Sequence, residues 1–275
     1  MLIGSRYIAF NGLFLPLEET FCRVRQTAVS IHFATGVENW PIANAGTGFL
    51  YQFCGRRFCI LTRHQLINGF DPGQIAIKLT SDERRLFSGG RIVSFPSAYH
   101  GSEEADLVAL ELPWAYQNLI TAPIFYDAST ADCVMQRGEQ LCAIGFPSGL
   151  TEIYGDEECE GIGTSQVMTW GVRGTDGGLP SLCMSESRVM RPRCKGDFDG
   201  FSGAPVYGVN SHTRKMTFRG IVIRGGRDTL YFTPHEWVDF LCEKAFSEPP
   251  LDPVAILPRH ASQSDCSKSA SSSDA

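Results

Sequence analysis

The apolar residues of this chain come in short runs, and turn-forming Gly, Pro, Asn and Asp recur between them at short intervals. With 28 Gly and 15 Pro scattered over 275 residues, long helices have little room. Gly costs too much backbone entropy in a helix interior, and Pro lacks the N–H that a helix interior needs. The pattern leaves many short strands joined by tight turns, as in an all-β barrel or sandwich.

The strands can be placed one by one. Val29, Ile31 and Phe33 alternate with Ser30 and His32, so the apolar set shares one face and His32 is expected at the surface or half-buried. Residues 46–53 and 58–62 read as a hairpin around a Cys54-Gly55-Arg56-Arg57 turn. Further strands are expected over 75–79, 91–95 and 107–112. A second set covers 141–146, 165–172, 204–209 and 218–223, with 113–139 as a bridge between the halves. Residues 234–246 read as a helix, with Thr233 as N-cap, Pro234 in the first helical position, and Trp237, Phe240, Leu241 and Ala245 on the packed face. Residues 1–26 form an N-terminal extension, and the Ser-rich stretch 247–275 reads as a disordered tail.

Composition excludes several classes. A net charge of −6 argues against a nucleic-acid binder, which needs a basic face to meet phosphates. No run of about 18 apolar residues occurs, so no membrane partner is expected. The N-terminus lacks the ordered basic, apolar and small-residue regions of a secretion signal, which makes the cytoplasm the default location. The ten cysteines are then expected as reduced, mostly buried thiols. They include no Cys-x-x-Cys pair, so a structural zinc site has little support, and nothing else in the sequence gives reason to expect a metal or a cofactor. The acidic run from Asp156 to Glu160 reads as an exposed loop.

Three segments carry chemistry. In Asp199-Gly200-Phe201-Ser202-Gly203-Ala204-Pro205, glycines flank a serine closely enough for the chain to bend and for the N–H groups of Gly200 and Ser202 to converge. A serine hydroxyl attacks only if a base removes its proton, and the resulting oxyanion needs fixed donors. In Cys59-Ile60-Leu61-Thr62-Arg63-His64, an apolar strand ends on a histidine, a placement that suits a base held on a rigid element. In Asp106-Leu107-Val108-Ala109-Leu110, an aspartate opens an alternating strand, where it can accept the far imidazole N–H and fix the tautomer. Each segment alone is also readable as an ordinary turn or strand end.

Taken in order, His64, Asp106 and Ser202 resemble the trypsin-like serine peptidase family. In wording the segments GTGFLY, CILTRH, DLVALEL, AIGFPSGL, GFSGAPV and RGIVIRGG are similar to its bacterial HtrA-like branch. The resemblance spans roughly residues 27–246. It implies an all-β, chymotrypsin-like fold of two antiparallel six-stranded β-barrels with a C-terminal helix. The first barrel (27–125) would carry His64 and Asp106, the second (126–233) Ser202, and the helix would cover 234–246.

The implied activity is that of a serine endopeptidase acting on a protein or peptide substrate. Ser202 would be the nucleophile, His64 the base and Asp106 its orienting partner. Gly200 and Ser202 would form the oxyanion hole, and Ile223, Arg224, Gly225 and Asp197 would line the substrate site. Asp197 and Asp228 would favour Arg or Lys in the substrate if they form a pocket floor; the alternative is that they are solvated loop acids.

The chain departs from the family in two ways. Phe201 stands where zymogens of the family have an Asp that pairs with a freed N-terminus, so activation by that ion pair is not expected. Removing residues 1–20 should therefore not switch activity on. Only 29 residues follow Phe246 here, so the PDZ domain of the HtrA-like branch is not expected. An α/β-hydrolase is disfavoured because Gly-Ala-Pro after the serine resists a helix start and the histidine precedes the serine. A non-catalytic trypsin-fold binding module, or a latent protease awaiting a regulatory protein partner, stays open as an alternative.

Overall fold

The computed structural model describes residues 7–37, 40–66, 71–78, 86–99, 101–113, 125–131, 139–156, 159–176, 178–184, 198–226, 228–249 and 251. The chain opens on a hairpin of β1 (Tyr7–Phe10) and β2 (Leu13–Pro16), followed by helix α1 (Leu17–Gln26). Sequence patterning gave these residues no structure. The helix buries only Thr20 and Val24, one turn apart, so its apolar stripe is too thin to see. Its charges are placed for a helix nonetheless: Glu18 and Glu19 lie in the first turn and Arg23 and Arg25 in the last, each favoured by the helix dipole.

The first sheet follows. It comprises β3 (Ala28–Val37), β4 (Trp40–Phe53), β5 (Arg56–Thr62), β6 (Ile75–Lys78), β7 (Leu86–Ser88), β8 (Arg91–Ser94) and β9 (Leu107–Glu111), in the order β7-β6-β3-β4-β5-β9-β8. Neighbours along this path are antiparallel, and the short β10 (Tyr126–Asp127) adds in parallel to β4. No ladder joins β7 to β8 among the described residues. The turn between β4 and β5 is tighter than the expected four residues. Cys54 (φ 47°) and Gly55 (φ 79°) alone make it, both in the left-handed region that two-residue hairpin loops require.

The second half contains β11 (Gln140–Gly145), a side hairpin of β12 (Thr151–Asp156) and β13 (Cys159–Thr164), then β14 (Val167–Asp176), β15 (Leu179–Cys183), β16 (Pro205–Asn210), β17 (Lys215–Gly225) and β18 (Thr229–Pro234). Six of these strands, in the order β16-β11-β14-β15-β18-β17, close into a barrel because β17 pairs back onto β16. Of the acidic run expected as a loop, Asp156 and Glu160 are strand residues of the β12–β13 hairpin, with Asp156 opposite Cys159. β1 lies parallel to β17, so the N-terminal hairpin extends the second sheet.

The core has three layers, which explains why many strands lack the alternation of a half-wet sheet. Along β5, Cys59 and Leu61 fill the first sheet's interior, while Phe58 and Ile60 face a second core between the halves. Along β11, Leu141 and Ala143 fill the closed barrel and Cys142 and Ile144 face that same shared core. A cluster of rings sits at its centre: Phe49 stacks on Phe218 with centroids 4.5 Å apart, beside Tyr51, Tyr126 and Tyr207. Each ring buried there contributes about 2–3 kcal/mol by area alone.

This layering corrects the expectation for His32. It continues the row of Ala28 and Ser30, the face of β3 turned toward the second half, and it is fully buried. Among the described residues, neither ring nitrogen has a hydrogen-bond partner.

The C-terminal helix α2 (His235–Lys244) begins one residue later than expected, with Pro234 at the N-cap. Thr233 does not cap it; its hydroxyl is buried at the end of β18. Val238, Leu241 and Cys242 form the buried face, while Trp237 and Phe240 pack half-buried on Phe95 and Tyr99. The Tyr51 hydroxyl donates to Asp239, and the buried Arg56 guanidinium donates to the carbonyls of Ala245 and Glu248 (2.6 Å for the latter). These bonds pin the helix end to the first sheet. Most of the expected bridge and the tail beyond residue 251 lie outside the described residues. Among the described residues, Cys22, Cys54, Cys59, Cys142, Cys183 and Cys242 are free thiols. No described helix is long and apolar enough to cross a membrane.

Candidate active site

His64 sits where β5 ends. After Thr62 the chain makes one 3₁₀ turn over Arg63–Gln65, which lifts the imidazole out of the sheet. Asp106 occupies the matching place on the neighbouring strand, between a 3₁₀ turn over Glu103–Ala105 and the start of β9. The β5–β9 ladder sets Thr62 opposite Leu107, and the Arg63 N–H donates to the Asp106 carbonyl at 3.1 Å. The two side chains are therefore held together by backbone pairing, not by chance contact.

The Asp106 carboxylate bonds His64 twice. Oδ2 lies 2.5 Å from Nδ1, and Oδ1 accepts the His64 backbone N–H at 3.2 Å. That geometry makes Nδ1 the protonated nitrogen and leaves Nε2 free to accept. Nε2 lies 2.8 Å from the Ser202 hydroxyl. Ser202 comes from the other half of the molecule, on the turn before β16. The three residues form one continuous chain of hydrogen bonds across the cleft, with His64 half-exposed.

The turn that carries Ser202 is gripped from both sides. Gly200 has φ +90°, and a Cβ there would lie 2.4 Å from the Phe146 carbonyl oxygen, so only glycine fits. Its carbonyl accepts from the Thr47 hydroxyl at 2.6 Å, and that hydroxyl accepts the Phe146 N–H at 2.9 Å. The Ser148 N–H donates to the Asp199 carbonyl at 2.8 Å, and the Thr47 N–H to the Ser202 carbonyl at 3.2 Å. Phe201 is buried in the closed barrel, edge-on to Phe198 with centroids 5.2 Å apart. Packing thus anchors the turn at the position where the family resemblance implies an ion pair. Among the described residues, the N–H groups of Gly200 and Ser202 have no partner, as donors awaiting an oxyanion should.

A cleft of about 340 Å³ opens beside Ser202. Phe33, Asn44, Ala45, Ser148, Phe198 and Gly226 line it, together with Gly225 and the residues already named. Of the four residues expected to meet substrate, Gly225 does line this cleft. Ile223 turns its side chain into the shared core. Arg224 is exposed, 3.2 Å from Glu103 and over the Tyr231 ring at 4.3 Å. Asp197 lies outside the described residues. Asp228 is exposed, and its carbonyl accepts the Met184 N–H at 2.7 Å.

Sequence reading missed Thr47 and Gln65. Thr47 sits inside the Gly-Thr-Gly that was read only as strand. Gln65 stands three residues after Thr62, the Thr-x-x-Gln spacing of a capping box, and that spacing was the available signal. Among the described residues no cluster of three or more His, Cys, Asp or Glu side chains stands close enough to hold a metal ion.

No protein-family model matches the chain, and no characterised protein matches it in sequence. Solved structures do match in three dimensions. The protease Anisep from Arthrobacter nicotinovorans superimposes with a TM-score of 0.53 at 14% identity, covering 81% of this chain and 96% of its own. Human heparin binding protein superimposes with a TM-score of 0.54 at 15% identity, covering 84% of this chain and 96% of its own. At such identities the likeness speaks to architecture alone, and that architecture is the chymotrypsin-like, all-β fold with a C-terminal helix.

Proposed function

We propose that this chain is a serine endopeptidase that hydrolyses peptide bonds through an acyl-enzyme on Ser202. The observation that carries this reading is the unbroken chain from Asp106 through His64 to Ser202, at 2.5 and 2.8 Å. In the first step Ser202 Oγ attacks the substrate carbonyl carbon while His64 Nε2 takes the hydroxyl proton. The carbonyl oxygen becomes an oxyanion facing the N–H groups of Gly200 and Ser202. Asp106 stabilises the imidazolium and keeps Nε2 aimed at the hydroxyl. The imidazolium then protonates the leaving amine, and water repeats the sequence in reverse to free the acid and restore Ser202.

The neighbours differ in what their names record, one a protease and the other a heparin binding protein, so the fold does not choose between catalysis and binding. The aligned hydrogen bonds and the two free N–H groups favour catalysis. They also favour an enzyme competent without processing over a latent one, because the turn of Ser202 is already anchored by Phe201 and Thr47. A cytoplasmic location is part of the same proposal, supported by six described cysteines that stand as free thiols. Placement in the HtrA-like branch rests on motif wording alone. The test is hydrolysis of unfolded casein by purified protein with no additive. Cleavage by the parent and none by Ser202→Ala is the expected result; an inert parent contradicts the proposal.

A further inference from the structure

Gln65 follows His64 in the chain, but its side chain turns the opposite way, inward, and is almost fully buried. There it uses both ends of its amide. Oε1 accepts the Thr62 N–H at 2.8 Å and the Thr62 hydroxyl at 2.9 Å. Nε2 lies 2.9 Å from the Ala45 carbonyl, 3.1 Å from that of Thr47 and 3.0 Å from that of Ser202. One side chain therefore ties together the end of β5, which carries His64, the strand β4, and the turn that carries Ser202. The fit is tight. Gly203 approaches so closely (φ +84°) that a Cβ there would lie 2.9 Å from Oε1 and 2.0 Å from the Thr47 oxygen.

We propose that Gln65 is a positioning residue: its buried amide sets the Ser202 turn against the end of the His64 strand and so holds the distance from Nε2 to Oγ. The proposal rests on the protease reading for its kinetic consequence but not for its structural one. His64 and Ser202 come from different halves of the molecule, and apart from the His64–Ser202 bond itself the Thr47 backbone and hydroxyl are the other described groups of the first half that hydrogen-bond the 200–202 stretch. A side chain that supplies no reacting atom can then govern the acylation rate, because a shift of about 1 Å at a reacting pair lowers rates by about a hundredfold.

The test uses Gln65→Glu in the full chain. A carboxylate keeps the acceptor for Thr62 and places a second anionic oxygen where the NH₂ group donated, facing three carbonyl oxygens. Gln65→Met fills similar space without charge and serves if the first variant does not fold. Two readouts are needed. The first is inactivation by a small fluorophosphonate, resolved into its limiting rate and its half-saturating concentration. The expected result is a limiting rate about 10- to 100-fold lower at an unchanged half-saturating concentration. The second is hydrogen exchange at the Thr47 and Gly203 amides, expected to rise about tenfold while Ala109 in β9 keeps parent protection.

A variant that labels at the parent rate overturns the proposal. So does one whose rate and exchange change only in step with a global loss of stability. If the parent itself does not label, the protease reading has failed, and exchange alone decides: faster exchange at Thr47 and Gly203 upholds the positioning role, and parent-like exchange ends it.

Discussion

Acid should destabilise this protein through His32. The side chain is fully buried on β3, both ring nitrogens lack a hydrogen-bond partner among the described residues, and Lys78 on the adjacent strand β6 adds a like charge. Burial first, and Lys78 second, lower its pKa from 6.5 to about 4. The unfolded chain then binds a proton below pH 6.5 that the folded chain refuses until about pH 4. Stability is fully present above the unfolded value and is lost as pH falls through the window toward 4. Linkage gives a slope of up to about 1.4 kcal/mol per pH unit, or roughly 2 kcal/mol between pH 7 and pH 5. Against a typical total of about 5–15 kcal/mol, that loss is easily measured. The assay is urea unfolding at several pH values for the parent and for His32→Leu, which cannot titrate. The stability difference between the two proteins should shift against the parent by roughly 2 kcal/mol over this range. Parallel curves between pH 7 and pH 5 would refute the argument, because they would mean that His32 takes up its proton as readily folded as unfolded.

Other consequences follow from the same structure. Arg219 and Glu139 form a buried pair at 2.7 Å in the closed barrel, so Glu139→Leu should cost about 3–5 kcal/mol in urea unfolding by removing the carboxylate that balances a buried guanidinium charge. Phe10 reaches from the N-terminal hairpin into the shared core, so Phe10→Ala should cost about 3–5 kcal/mol. Trimming residues 1–20 should accordingly lower the melting temperature without raising proteolysis. Asp106→Asn keeps the volume but disturbs the imidazole tautomer, and turnover on a peptide substrate should fall about 10⁴-fold with little change in melting temperature.

Much of this architecture was legible in the residues. β5 and β9 could be read because their apolar runs are short and bounded, and the alternation of Val29, Ile31 and Phe33 marked the interior of the first sheet. The opposite face could not be read. Ser30 and His32 look like a wet edge until a second half is packed against it, and no local pattern records that packing. The N-terminal hairpin and α1 were hidden for a related reason. Phe10 finds its ring partners in Tyr126 and Tyr207, more than a hundred residues away, and Ile8 joins the same core. At the candidate site, His64, Asp106 and Ser202 announced themselves by residue type and order. Thr47 and Gln65 did not, because threonine and glutamine have no reactivity of their own and act here only through the hydrogen bonds that the fold assigns them. Ile223 was expected at the substrate site from its place on β17, but strand parity turns it into the core.

The most direct test of the central claim is covalent labelling of the intact protein by a fluorophosphonate, read by mass spectrometry on the parent, Ser202→Ala and His64→Ala. The account predicts one adduct per parent chain, located on Ser202, with none on Ser202→Ala and labelling of His64→Ala slowed by several orders of magnitude. An unlabelled parent, or a parent and Ser202→Ala that label alike, would contradict it.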